Sequence, residues 1–152
     1  MIGGELISDL RFADDIALLG EKEEGLQDSL TRVVQVGKKM GMCINVQKTE
    51  CQYIGREGTR LGLNVDGQIL EQKESFVYLG GLIDAHGGSE KDVERRIGLA
   101  RGILQRLHRI WRSKEISKTT KVRIYETLVL SVLLYNSETW TLKGTQKRRL
   151  NL

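Results

Sequence analysis

No stretch of this sequence is long and apolar enough to span a bilayer: the longest apolar run is "LVLSVLLY" at residues 128–135. A spanning helix needs roughly 20 such residues, so no membrane role is expected. Cysteine is nearly absent. Cys43 and Cys51 are too few for a disulfide framework and lack the second pair of a zinc site. Both are expected to be buried strand thiols in a reducing compartment. The opening "MIGGELISDL" has no basic region followed by an apolar core and a small-residue cleavage site, so the expected location is intracellular, nuclear and/or cytoplasmic. Proline is missing altogether, which suits uninterrupted helices and decides little else. At 152 residues the chain has room for one domain or two small subdomains, not for a multi-domain enzyme.

What is present is unevenly distributed. Residues 1–88 carry 9 Lys+Arg against 14 Asp+Glu, whereas residues 89–152 carry 15 against 6, so an acidic half is joined to a basic half. Such asymmetry suggests a polyanion partner for the second half. Solvated Arg- and Lys-rich helix faces would produce the same imbalance.

Hydropathy patterning divides the chain in the same place. Residues 5–13 and 16–20 read as two strands of a hairpin, with "DD" at its tip. "EKEEGLQDSLTRVVQVGKKMG" spaces Leu26, Leu30, Val33, Val34 and Met40 near the helical period, with acids in the first turn, lysines in the last and Gly41 as a stop. "MCINV" and "CQYIG" are expected as short strands, "LGLNVDGQILE" as a hairpin turning at Asp66-Gly67, and "SFVYLGGLI" as one apolar strand. The Gly-rich "DAHGGS" at 84–89 is the expected boundary between domains 1–88 and 89–152. Beyond it the pattern is helical. Ser89 with Asp92 fits a capping box, and Val93, Ile97, Ala100, Leu104, Leu107 and Trp111 form an apolar stripe. Arg95, Arg106 and Arg109 fall opposite that stripe, with Arg101 and Arg112 on one flank. Ser117 caps a further expected helix to about residue 137, whose segment 128–135 is apolar enough to need a covering protein partner. "TQKRRLNL" begins a last helix with Thr145 at its cap. Trp111 and Trp140 are expected as core aromatics.

Asp14 and Asp15, side by side at a hairpin tip, repel each other unless a cation neutralises them. Hard divalent cations such as Mg²⁺ favour carboxylate oxygens, with waters and phosphates completing the shell. By itself such a pair more often simply closes a turn, since Asp tolerates turn conformations. Its surroundings favour the first reading. "LRFADDIALL", "GLQDSLTRVVQVGKKMGMCINVQKTE", "ESFVYLGGLI" and the helical stretches from "SEKDVERRIGLARGILQRLHRIW" to "KVRIYETLVLSVLLYNSETWTL", in this order, resemble the reverse transcriptases of non-LTR (LINE-type) retrotransposons.

The resemblance implies an α+β fold: a partial polymerase palm of antiparallel strands with a packed helix, then a helical thumb-like region. It implies an RNA-directed DNA polymerase working by two-metal nucleotidyl transfer with Mg²⁺ or Mn²⁺, on an RNA template, a DNA primer and dNTP. Asp14 would be the principal metal ligand and Asp15 a second. Lys48 would stand near the departing pyrophosphate; without the resemblance it reads equally as a solvated lysine. Phe76, Tyr78, Leu79 and Gly80 would shape the primer grip. Arg95, Arg101, Arg106, Arg109 and Arg112 would track phosphates of the duplex. The family's further metal-binding aspartate and its nucleotide pocket have no counterpart in residues 1–11, so the isolated chain is expected to be inactive. The alternative is a non-catalytic nucleic-acid-binding remnant of the same domain.

Overall fold

The computed structural model describes residues 8–55 and 59–150. The chain forms two compact units, Met1–Glu74 and Ser75–Leu152, and the class is α+β. The division falls ahead of the Gly-rich segment at 84–89, because the strands just before that segment pack on the helices after it.

The first unit opens with the hairpin β1 (Asp9–Phe12) and β2 (Asp15–Leu18), in register from Asp9↔Leu18 to Phe12↔Asp15. Residues 5–7 of the expected first strand lie outside the described residues. Helix α1 (Glu23–Lys39) forms where the spacing placed it, with Glu23 and Glu24 complementing the positive end of its dipole and Lys38 and Lys39 the negative end. Gly41, at φ +74°, takes the left-handed conformation that ends helices. Leu30 and Val34 bury against Cys51, Leu63, Val65 and Leu70, with Leu18, Leu26, Ile44, Val46 and Leu61 packed around them.

The rest of this unit is loop and short two-residue strands, tied to α1 by side chains. Gln27 donates from Nε2 to the Asn64 carbonyl (3.0 Å) and accepts the Asn64 N–H (2.9 Å). Glu23 accepts the Gly62 N–H at 2.5 Å. The hairpin β4 (Asn64–Val65) and β5 (Gln68–Ile69) turns at Asp66-Gly67 as expected, with φ +51° and +80°, the pair of positive values a type I′ turn requires. "MCINV", however, is not a strand. Val46–Lys48 is a 3₁₀ turn in which Asn45 Oδ1 accepts the Lys48 N–H, and only Glu50–Cys51 (β3) enters a ladder, parallel to β6 (Glu71–Gln72). Cys51 is buried and its thiol is pushed up by desolvation and by the nearby Glu23, but Cys43 is exposed on the loop, contrary to expectation.

The second unit begins with a departure from the expected single strand. "SFVYLGGLI" is a hairpin, β7 (Ser75–Tyr78) and β8 (Gly81–Asp84), turning at Leu79 (φ +46°) and Gly80 (φ +83°). Among the described residues the strands therefore form four separate two-stranded ladders, three of them antiparallel. Helix α2 (Glu90–Arg106) follows, and the helical run expected to continue to 112 breaks at Leu107 before α3 (His108–Arg112). The apolar stripe faces inward, with Val93 only 1% exposed and Ala100 also buried. The capping box is not made: the Ser89 hydroxyl donates to the Thr141 carbonyl (3.2 Å), and Asp92 is turned inward.

Ser117 caps α4 (Lys118–Ile124) by accepting the Thr120 N–H at 3.1 Å. The helix then widens into a π-helical turn (Tyr125–Leu130) and closes as α5 (Ser131–Leu133). Lys121 donates to the carbonyls of Trp111 (3.0 Å) and Ser113 (2.6 Å), ending α3. Val129, 1% exposed, packs into this unit's core, while Leu128 and Leu134 remain exposed. Helix α6 (Gly144–Leu150) starts at "GTQ", where Gln146, not Thr145, supplies the cap by accepting the Lys143 N–H at 2.7 Å. Residues 151 and 152 of the expected last helix lie outside the described residues.

Candidate functional site

The β1–β2 hairpin presents its two acids to solvent. Ala13 and Asp14 are the two turn residues, and Asp15 opens β2 opposite Phe12. Of the turn pair only Ala13 has positive φ, +51°, a conformation that costs a residue with a Cβ about 1–2 kcal/mol relative to glycine. Neither Asp14 nor Asp15 pairs with a cationic side chain among the described residues, and both are exposed. Asp9, at the far end of the ladder, is already engaged: Arg11 Nε donates to it at 2.7 Å and Ser8 Oγ at 3.3 Å. Among the described residues no three His, Cys, Asp or Glu side chains stand together. The tip therefore offers two adjacent hard oxygen donors, which suit part of a divalent-cation shell completed by water and phosphate. Phe12, 63% exposed, and the exposed Leu10 and Ile16 share this ribbon.

Lys48 ends the 3₁₀ turn and is exposed, its backbone N–H held by Asn45 Oδ1 at 3.2 Å. The turn fixes where the Lys48 backbone sits and leaves the ammonium in water.

The second unit places Phe76, Tyr78, Leu79, Gly80 and Arg95 of the expected site residues at the β7–β8 hairpin. Phe76 and Tyr78 are half-buried, Leu79 is exposed, and the carbonyls of the turn itself are all engaged by helix side chains. Tyr135 Oη donates to the Leu79 carbonyl at 2.7 Å, Arg95 Nη1 to the Gly80 carbonyl at 3.1 Å, and Arg96 Nη2 also to Gly80. The Arg96 guanidinium lies over the Tyr135 ring, 4.4 Å from its centroid. Behind them is Asp92, 2% exposed, whose Oδ1 accepts the Leu82 N–H (3.1 Å) and whose Oδ2 accepts Trp140 Nε1–H (2.9 Å). Its carboxylate also stands 3.6 Å from Arg95 and 3.8 Å from Arg96. A buried acid satisfied by two donors and two guanidinium groups is a stable arrangement; any one partner alone would not be.

The two glycines of "LGG" make this approach possible. A Cβ on Gly80 would stand 3.1 Å from the Tyr135 ring, and one on Gly81 would collide with the Asn136 side-chain amide. Asn136 itself adopts φ +67° as the helix ends. Between the hairpin and the helix end lies an open groove of about 640 Å³, lined by Tyr78, Leu79, Ile83, Leu134, Tyr135 and Glu138 among others.

Of the five arginines expected to form one face, Arg95 is half-buried and bound to the turn, while Arg101, Arg106, Arg109 and Arg112 are exposed. Trp111 is half-buried, with Nε1 donating to the Leu104 carbonyl at 3.0 Å, and Trp140 is held by Asp92, so both indoles are structural. Three members of the cluster escaped the sequence reading. Asp92 looked like a capping residue, Arg96 is the helix neighbour of an arginine assigned to the surface, and Tyr135 ends an apolar run. The available signal was an Asp with arginines three and four positions later on one helix, a spacing that lets one acid face both.

Comparison with known proteins gives two matches. Residues 104–135 match a family described as "Domain of unknown function (DUF6451)", a span from the end of α2 to Tyr135. Over 99% of its length the chain is 26% identical to an uncharacterized transposon-derived protein of Caenorhabditis elegans. The chain spans about half of that relative, 55%. No solved structure matches. Nearly the whole chain is thus similar to a transposon-derived protein.

Proposed function

We propose that this chain carries the catalytic hairpin, primer-grip hairpin and first thumb helices of a non-LTR retrotransposon reverse transcriptase, an RNA-directed DNA polymerase. The observation that carries the reading is the pair Asp14-Asp15 on a tight, solvent-facing β-turn, within a chain whose similarity to a transposon-derived protein runs end to end. In this reading Asp14 and Asp15 hold Mg²⁺ or Mn²⁺, which supplies charge neutralisation for phosphoryl transfer. Lys48 offers a proton or a positive charge to the leaving pyrophosphate. Phe76, Tyr78, Leu79 and Gly80 bear on the primer end, and Arg101, Arg106, Arg109 and Arg112 on duplex phosphates, with Arg95 fixing the turn.

Two-metal chemistry draws on carboxylates from more than one strand, and the described residues hold no third acid beside the pair. The isolated chain is therefore expected to bind template–primer without extending it. That same observation favours the second reading, a non-catalytic nucleic-acid-binding module. One titration separates the two: fluorescence anisotropy of a labelled RNA/DNA hybrid, with and without Mg²⁺, for the wild type and Asp14→Asn. The polymerase reading expects Mg²⁺ to tighten binding in the wild type and not in Asp14→Asn. Binding indifferent to both the ion and the substitution supports the module, and no binding by a folded chain rejects both readings.

A further inference from the structure

Tyr135 stands out among the aromatic side chains of the second unit. It is half exposed, at 50%, although Arg96, itself only 6% exposed, covers one side of its ring. Its hydroxyl is tied to the Leu79 carbonyl and its edge rests on Gly80, so the ring cannot swing away without breaking both contacts. Tyr135 also lines the groove between the β7–β8 hairpin and the helix end. A half-exposed aromatic ring already fixed in place, with a cation over one face, loses little conformational freedom when a flat ligand stacks on it.

Resting on the reading of this chain as a polymerase segment, we propose that Tyr135 is a stacking platform for an unpaired nucleobase of a single strand adjoining the bound duplex. The lining favours a base over a phosphate. Glu138 brings a negative charge to the groove, Leu79, Ile83 and Leu134 bring apolar surface, and the nearest guanidinium is occupied behind the ring with Asp92 and Gly80. In this proposal the attached sugar-phosphate chain runs on to the exposed Arg101, Arg106, Arg109 and Arg112 of the same unit. Stacking on an aromatic ring is tolerant of sequence, since every base has a π face, so the site discriminates single-stranded from paired bases and not one base from another.

The test uses the whole chain and an RNA/DNA hybrid with a short single-stranded overhang carrying 5-iodouracil. Irradiation of the wild-type complex is expected to join the overhang to the peptide containing Tyr135, as read by mass spectrometry. Tyr135→Leu is expected to weaken binding of the overhanging hybrid about fivefold more than it weakens binding of a blunt hybrid, the low end of what one base–aromatic stack contributes. Tyr135→Phe keeps the ring and is expected to keep the affinity. Binding with cross-links only elsewhere overturns this inference and leaves the polymerase reading standing, whereas no binding of either hybrid removes both. If Tyr135→Leu does not fold, the wild-type cross-link alone decides.

Discussion

Two buried carboxylates in the second unit answer to different partners, and each gives a measurable prediction. Asp84 is lowered from 3.8 to about 2, first by the Lys91 ammonium at 2.5 Å and then by the His86 backbone and ring nitrogens. A carboxyl depressed on folding contributes stability above its unfolded value and loses it as the pH falls through the folded one. The contribution is about 2 kcal/mol at neutral pH. The difference in urea-unfolding free energy between wild type and Asp84→Asn is therefore expected to shrink from about that size near pH 4 towards zero as the pH falls through about 2 to about 1. A difference that stays constant over that range would count against the ion pair. Asp92 faces Arg95 and Arg96 inside the fold, and Asp92→Ala removes the carboxylate facing both guanidinium groups and the acceptor of the Leu82 and Trp140 N–H groups. A loss of about 3 kcal/mol in the unfolding midpoint experiment is expected, the scale for breaking a buried pair from one side. Neither acid's role was legible in the sequence. Asp92 sits three residues after Ser89, where a capping box explains it fully, and only the packed position of Trp140 and Leu82 turns its carboxylate inward.

At the level of elements, legibility followed the source of each element's stability. Helix α1 and the stripe of α2 were readable because repeated apolar spacing, end charges and Gly41 all agree. The Asp66-Gly67 turn was readable because Asp-Gly is what a type I′ turn demands. The Leu79-Gly80 turn was not, because Leu in a left-handed conformation is held there by Tyr135 and two arginines from elsewhere in the chain. Likewise "MCINV" has strand composition, but among the described residues it pairs with no strand, and Asn45 caps the 3₁₀ turn that begins at Val46. Two glycine substitutions test this distinction. Gly80→Ala meets both a φ of +83° and the Tyr135 ring at 3.1 Å, so a loss of at least about 1 kcal/mol is expected on thermal or urea unfolding. Gly98→Ala, inside α2 with nothing near its added methyl, is expected to stabilise by about 0.5–1 kcal/mol. Equal effects at the two positions would mean that the hairpin turn is not held by the helix side chains.

For the molecule as a whole, the uneven charge noted in the sequence takes a definite form. The acidic first unit displays Asp14 and Asp15 on an exposed ribbon, and the basic second unit displays four arginines along α2 and α3. If those four meet phosphates, affinity for an RNA/DNA hybrid should fall with a log–log salt slope of roughly −3 to −4. A Lys or Glu replacement series at Arg101, Arg106, Arg109 and Arg112 measured by anisotropy checks it: each charge reversal is expected to make the slope shallower by about one. A slope unmoved by all four reversals would put the nucleic-acid contact on other residues. The candidate site was legible only in part, since charge and motif suggest a chemistry for it while the geometry around Tyr135 depends on residues far apart in the chain.

The π-helical turn at Tyr125–Leu130 has a consequence for how this helix tolerates change in length. A π turn takes up one residue more per turn than an α turn, the signature of an insertion absorbed without disturbing the helix on either side. The flanks, Lys118–Ile124 and Ser131–Leu133, thus keep the phase of a helix one residue shorter. Removing Thr127 should relax the bulge to ordinary α-helix and leave Tyr135 facing the same hairpin. Removing Thr120, outside the bulge, should rotate everything before it by about 100° against everything after it. In most helices a lost residue scrambles the faces; in this one the slack for it is already built in.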